Sequence, residues 1–264
     1  MKKLIIINES LEKLEENLDE CIKIRNKKSK LKNQIIFIKP NMGYPKPAPY
    51  TTSLDIIKTT INVLMKYSPK EIIIGEGTTS NYSAREVFEK NGLVEELKDY
   101  TITFMDLNQQ PSTEIETDID GSHFLPTFLR DCDLRISMPV IKFYDDDEGK
   151  LFLSNAIKNF FGLPPKNKYK KDNESYKRDS LHKDLHKSVA GIYQAVEKFT
   201  PFDLYICDGR VALYGEASEG KPIQWGKIIL GDNALEIDLK VLEILKKPMP
   251  RYLEILTEKN RKES

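Results

Sequence analysis

Short apolar runs alternate along the chain with longer stretches whose apolar residues recur at helical spacing. Residues 3–7, in and just before LIIIN, read as a first strand. Leu11, Leu14, Leu18, Cys21, Ile22 and Ile24 then fall near one face of a helix over residues 10–28. QIIFIK at 34–39 is apolar at both parities, as a central parallel strand buried on two faces should be. Leu54, Ile57, Ile61, Leu64 and Met65 make the apolar stripe of the next helix. Thr52 is placed to cap that helix, Asp55 favours its N-terminal dipole, and Pro69 stops it. EIIIGEG at 71–77 is the third strand and completes a strand–helix–strand crossover.

Ser83 and Glu86 have capping-box spacing before SAREVFEKNG, and Gly92 suits the C′ position. TITFMDL (101–107) and DLRISMPVIK (133–142) are the fourth and fifth strands, and SNAIKNFFG (154–162) is a helix that ends at Gly162. Residues 163–187 are lysine-rich, open on Pro164 and Pro165, and predict a long ordered loop or lid before a helix at about 183–199. DLYICDG (203–209) is a sixth strand and turn, and VALYG (211–215) and KIILG (227–231) pair as further strands. A helix follows at about 234–246, and the polar tail 257–264 is expected to fray. The order predicts one α/β domain over residues 1–264. Its centre is an open, mostly parallel sheet with helices on both faces and an antiparallel extension near the C-terminus.

Composition narrows the function. Hydrophobic residues make up 39% and charged residues 31%, which provides a sizeable core under a charged surface. Lys+Arg and Asp+Glu are 41 each, so bulk electrostatics do not favour nucleic acid. The basic tract PKNKYKKDNESYKR carries acids among its lysines, which weakens it as an RNA contact. Cys21, Cys132 and Cys207 lie far apart without a CxxC, so no cysteine-ligated iron–sulfur cluster is expected. Sparse cysteines suit a reducing cytoplasm. The N-terminal segment turns acidic at once and predicts no signal peptide, and no apolar run approaches the ~20 residues of a membrane span.

In open parallel sheets, ligands bind beyond the carboxyl ends of the strands. That rule selects Lys39 and Asn41, then Glu76, Thr78 and Thr79, then Ser137 and Lys142, then Asp208 and Gly209. Lys39 and Lys142 end or interrupt apolar runs, and Lys158 lies between Ile157 and Phe160. Three such lysines converging would hold a phosphate or carboxylate. Taken singly, each is equally a strand-end lysine reaching water. Glu76 and Asp208 are the acid–base candidates, although EG and DG are also ordinary turn pairs. Thr52 would orient the anion. GEGTTSN is neither GxGxxG nor a Walker loop. His182 and His186, in HKDLH, have spacing for one metal on a helix but no third ligand, and plain surface histidines explain them as well. YDDDEGK at 144–150 reads as a solvated acidic loop.

FIKPN, the TT before the second helix, ISMPVIK, NAIKNFFGLPP, and CDGRVALYGEASEG followed by IILGDNALEID occur in this order. As an ordered set they resemble the family catalogued as domain of unknown function 362, from about residue 34 to about 246. The family pattern is matched at Lys39, Pro40 and Asn41, at Lys142, at Ile157 to Gly162 including Lys158 and Asn159, at Asp208 and Gly209, and at Asp238. Val140 stands where members often have a lysine, and Tyr144 where they often have a histidine. The ferredoxin-like cysteine segment of many members is missing. Three functions follow as expectations. The first is an enzyme-like protein that binds a small anionic metabolite and moves a proton on it. The second is a non-catalytic accessory of a redox, iron–sulfur or cofactor pathway. The third is a metal-dependent hydrolase. A protein partner or homo-oligomer is compatible with each.

Overall fold

The computed structural model describes residues 4–28, 33–146, 149–172, 175, 177–215 and 219–263. Its elements in order are β1 (Ile5–Asn8), α1 (Leu11–Lys28), β2 (Ile35–Pro40), α2 (Leu54–Met65), β3 (Glu71–Glu76), α3 (Ala84–Lys90), α4 (Leu93–Glu96) and β4 (Ile102–Asp106). The hairpin β5 (Ser112–Thr117) and β6 (Gly121–Pro126) follows, then β7 (Leu134–Met138), β8 (Val140–Asp145) and β9 (Leu151–Ser154). The chain closes with α5 (Leu185–Phe199), β10 (Leu204–Tyr214), β11 (Lys221–Gly231), α6 (Ala234–Leu245) and α7 (Arg251–Glu263).

One sheet runs β1-β11-β10-β7-β2-β3-β4, with β8 and β9 joined to it through β10. β10, β7, β2, β3 and β4 are mutually parallel, while β11 and β1 add the antiparallel extension. The double-sided apolar pattern of β2 is used as expected. Ile36 and Ile38 join the core under α1, α2 and α3, and Phe37 joins the core under α5, α6 and α7. Helices therefore cover both faces, and the chain is an α/β fold. Ser83 caps α3 in a full capping box with Glu86. Among the described residues, no helix is long and apolar enough to cross a membrane.

Five local expectations change. The stretch at 133–142 is two strands broken at Pro139, which has no N–H to extend the ladder. β7 keeps its place beside β2, whereas β8 leaves it and pairs with β10 and β9. Asp208 and Gly209 make no turn. They lie inside the 11-residue β10, where the ladder with β11 is irregular between Gly209 and Val211. The residues at 158–162 form a tight 3-10 turn, not an α-helix. The expected frayed tail is helical through Glu263 in α7. The hairpin β5–β6 and strand β9 had no counterpart in the periodicity, because HFLP and LFLS are too short to show one.

Phe37 is fully buried and meets Phe128 and Phe202 edge-on, with ring centroids 5.3 and 6.0 Å away. Phe37→Ala should therefore cost about 3–5 kcal/mol, read as a lower urea midpoint with an unchanged slope.

Candidate functional site

Where β8 leaves β7, the carboxyl end of the sheet splits. A cavity of about 1000 Å³ opens there, lined by residues from the ends of β2 and β3, from β8, from the 158–162 turn and from 177–182.

Lys39 and Glu76 make the floor. Their side chains are 1% and 3% exposed, and Lys39 Nζ donates to Glu76 Oε1 at 2.8 Å. It also donates to the Pro40 carbonyl at 3.1 Å and to Asn159 Oδ1 at 3.4 Å. Glu76 accepts the Met42 and Gly77 backbone N–H groups, each at 2.9 Å. Asn159 Nδ2 donates back to the Lys39 carbonyl at 3.2 Å and to Ser137 Oγ at 2.9 Å. Loss of water pulls the Lys39 pKa down, and Glu76 opposes that pull. Two glycines let the backbones close over this pair. A Cβ on Gly162 would strike Glu76 and come within 2.8 Å of Lys39 Nζ, and one on Gly77 would strike the Gly162 carbonyl.

Two further lysines picked from the sequence line the cavity. Lys142, on β8, is 2% exposed and sits 2.8 Å from Tyr44 Oη, 2.6 Å from the Tyr50 carbonyl and 3.4 Å from Asn41 Oδ1. Burial brings its pKa down to about 7. These partners serve both protonation states. The ammonium donates to all three, and the amine donates to the two carbonyl-type oxygens and accepts from the tyrosine hydroxyl. Lys158 is different. Its Nζ lies 3.2 Å from the centroid of the Phe161 ring, and it makes no hydrogen bond or ion pair with any described residue. Burial first, then the neighbouring Arg178 and Lys39 charges, pull its pKa well below that of an ordinary lysine.

The backbone that carries Lys158 is pinned on both sides. Asp238 is fully buried on α6 and accepts from Ala156 N at 3.0 Å, from Ile157 N at 3.2 Å and from Tyr252 Oη at 3.2 Å. Burial pushes its pKa up to about 7. Asn159 is held as described above.

Arg178 went unnoticed in the sequence because it ends a tract that reads as a solvated basic loop. It is 1% exposed and donates to the carbonyls of Pro164 at 2.5 Å and Gly77 at 3.1 Å and to Asn108 Oδ1 at 3.2 Å, while its Nη1 has no partner among the described residues. Burial lowers its pKa to about 10, which leaves it charged at neutral pH. Arg178 makes this end of the expected lid a wall of the cavity. His182 also lines it, and burial together with Lys158 keeps its imidazole below its usual pKa. Among the described residues, six lysine and arginine side chains and three carboxylates line the space, so a chain with no net charge has a cationic cavity.

Of the residues picked from sequence, Lys39, Asn41, Glu76, Thr79, Lys142, Lys158, Asn159 and His182 line the cavity, as do Tyr144, Phe161 and Gly162 of the family pattern. The others lie outside its lining. Thr52 is not the cap of α2, which is Ser53. Its hydroxyl accepts from Asn41 N at 2.7 Å and donates to the Met138 carbonyl at 2.6 Å, bracing the Lys39-Pro40-Asn41 loop. Thr78 donates to the Tyr82 carbonyl at 2.7 Å. Asp208 accepts from Ser53 at 2.6 Å and pairs with Arg210 at 3.1 Å, fastening β10 to the start of α2. Gly209 is a packing glycine, since a Cβ there would come within 2.5 Å of the Trp225 ring. His186 Nε2 faces Asp146 at 2.9 Å and its Nδ1 accepts from Tyr252 N, so it is turned away from His182. The helical spacing fails because His182 ends a 3-10 turn before α5 begins. Among the described residues, no group of three or more His, Cys, Asp or Glu side chains could hold a metal ion. In the acidic run at 144–150, residues 147 and 148 lie outside the described set.

The model of the family described as domain of unknown function (DUF362) matches residues 36–243. The chain belongs to that family. The match spans every cavity residue named above, from Lys39 to His182, and the Asp238 anchor behind them. No curated protein matches the sequence. Among solved structures, a structural-genomics protein from Thermotoga maritima is similar at 13% identity with a TM-score of 0.55, covering 89% of this chain and 58% of that one. The lactate racemase apoprotein from Thermoanaerobacterium thermosaccharolyticum is similar at 12% identity with a TM-score of 0.51, covering 87% and 54%. The chain thus spans somewhat over half the length of these two proteins. At such identities the likeness shows the fold.

Removing one partner of a buried ion pair strands the other charge. Glu76→Ala should therefore lower stability by about 3–5 kcal/mol in urea unfolding, and adding Lys39→Met to it should restore a large part of that loss. A double variant no better than the single one would show that the pair acts mainly through its backbone contacts.

Proposed function

We propose that the cavity binds a small metabolite bearing a carboxylate or phosphate and carries out proton-transfer chemistry on it. The observation that carries this reading is Lys158, a cavity-facing amine with no carboxylate partner among the described residues and with the charged Arg178 nearby. A half-buried lysine set among other cations is suited to a ligand that supplies the missing counter-charge. The proton-moving role falls to the Lys142–Tyr44 pair. A lysine with a pKa near 7 exchanges protons readily at neutral pH, and Tyr44 is within hydrogen-bond reach of it. Glu76 is committed to Lys39 and two backbone N–H groups, and Asp208 lies outside the cavity, so neither keeps the acid–base role the sequence suggested. One neighbour in fold is named a lactate racemase, and lactate is a small carboxylate of the class proposed.

Sulfate is a suitable probe because its own charge is constant near neutrality. An anion favours the ammonium form of a neighbouring lysine, so binding takes up protons and weakens as pH rises through the pKa. Sulfate should raise the melting temperature more at pH about 6 than at about 8.5, either side of the Lys142 pKa near 7. Lys142→Met should flatten that pH dependence, and Lys158→Met should remove most of the stabilisation. A sulfate effect absent from the wild type, or equal in all three proteins, would overturn the reading.

A further inference from the structure

We infer that Lys158 is a nucleophilic amine that forms an imine with the carbonyl group of an anionic aldehyde or 2-oxo acid bound in the cavity. This rests on the proposed anion-binding function and names its substrate class.

The geometry distinguishes a lysine held in its charged form from one poised to lose its proton. A lysine that only clamps an anion gains from staying charged, and carboxylates or carbonyls placed around its head would keep it so. The floor lysine is built that way, with Glu76 and the Pro40 carbonyl on Lys39. Lys158 has the opposite surroundings. An aromatic ring lies against its head, two cations stand nearby, and no described acceptor touches it. Loss of water and the two cations favour the neutral amine over the opposing pull of the Phe161 ring face on an ammonium, and the amine's lone pair is the reactive species. Its backbone is fixed through Ala156 and Ile157 by Asp238 and through Asn159 by Ser137 and the Lys39 carbonyl. A reacting amine needs placement of that kind. Arg178 lines the same cavity and supplies a fixed positive charge that attracts the carboxylate or phosphate of the incoming molecule.

The step balances without an oxidant or reductant. The Lys158 Nζ lone pair attacks the carbonyl carbon, and the former carbonyl oxygen takes up a proton to give a carbinolamine. Nitrogen gives up its protons as the C–N double bond forms, and the oxygen leaves as water. Lys142 and Tyr44, on the same cavity, can deliver and recover the proton that this departure requires.

The test is reductive trapping. The full chain is incubated at neutral pH with pyruvate or glyoxylate and cyanoborohydride, which donates hydride to an imine, and then analysed by intact mass and peptide mapping. One reduced adduct per chain on Lys158 is expected, formed faster than on any surface lysine. Lys158→Arg keeps a positive charge but cannot form the imine. It should lose the adduct while retaining at least half of the sulfate-induced rise in melting temperature. No adduct in a wild-type protein that sulfate does stabilise would overturn the imine and leave the anion-binding reading standing. Loss of both signals in the wild type would overturn both. Adducts spread over many lysines, or unchanged in Lys158→Arg, would also overturn the inference.

Discussion

The Lys39–Glu76 ion pair is the contact on which the carboxyl edge of this sheet depends. Isolated in the interior, either charge would cost several kcal/mol, so neither residue tolerates loss of the other. Glu76 also ends β3 by receiving the N–H groups of Met42 and Gly77, and so ties the loop after β2 to the loop after β3. Asn159 bonds to both the head and the backbone of Lys39, which draws the 158–162 turn onto the same pair. Three loops from distant parts of the chain are thereby set around one buried charge pair. The cavity above inherits its shape from that arrangement.

The surplus of positive charge in the cavity follows from the same economy. Glu76 neutralises one lysine and is then fully used, with both of its oxygens engaged. The remaining cationic groups differ in what holds them. Arg178 keeps its charge through its high intrinsic pKa and its four oxygen acceptors. Lys142 has partners suited to either protonation state. Lys158 has no hydrogen-bond or ion-pair partner among the described residues, and loss of water with the Arg178 and Lys39 charges opposes its protonation. One cavity thus holds a fixed positive charge, a group that titrates near neutrality and an amine biased towards its neutral form. No single binding role explains why three basic side chains should be held in three different states.

Much of the fold was legible because it rests on periodicity. The two-sided apolar pattern of Ile35 to Ile38, the helical stripe from Leu54 to Leu64 and the Ser83–Glu86 cap are local signals that tertiary contacts then used unchanged. The split at Pro139 was written in the chain, but its consequence was not. A proline inside a strand pattern tells that pairing is interrupted, not which neighbour each half will choose. Asp208-Gly209 misled for a related reason. The pair is a common turn, yet here Gly209 makes room for Trp225 on a long strand. The rule that ligands lie at strand ends found Lys39, Glu76 and Lys142 correctly as neighbours, and it missed that Asp208 points its bonds towards Ser53 and Arg210 instead.

Arg178 was the residue least accessible to sequence reasoning, and the reason is physical. A basic tract interleaved with acids looks solvated because most such tracts are, and burial of one arginine within it depends on acceptors supplied from elsewhere. Those acceptors are the carbonyls of Gly77 and Pro164 and the side chain of Asn108, which belong to three separate loops. A signal was present in hindsight in the two glycines. Gly77 and Gly162 sit in GEG and FFG, each directly after a cavity residue or its turn, and a Cβ on Gly77 would come within 2.6 Å of the Arg178 guanidinium. Glycine at such a point marks close approach of another group, and the group approaching here is a cation. A buried arginine whose space is reserved by a glycine on another loop belongs to the cavity's construction, and it builds a fixed positive charge into the wall of that cavity.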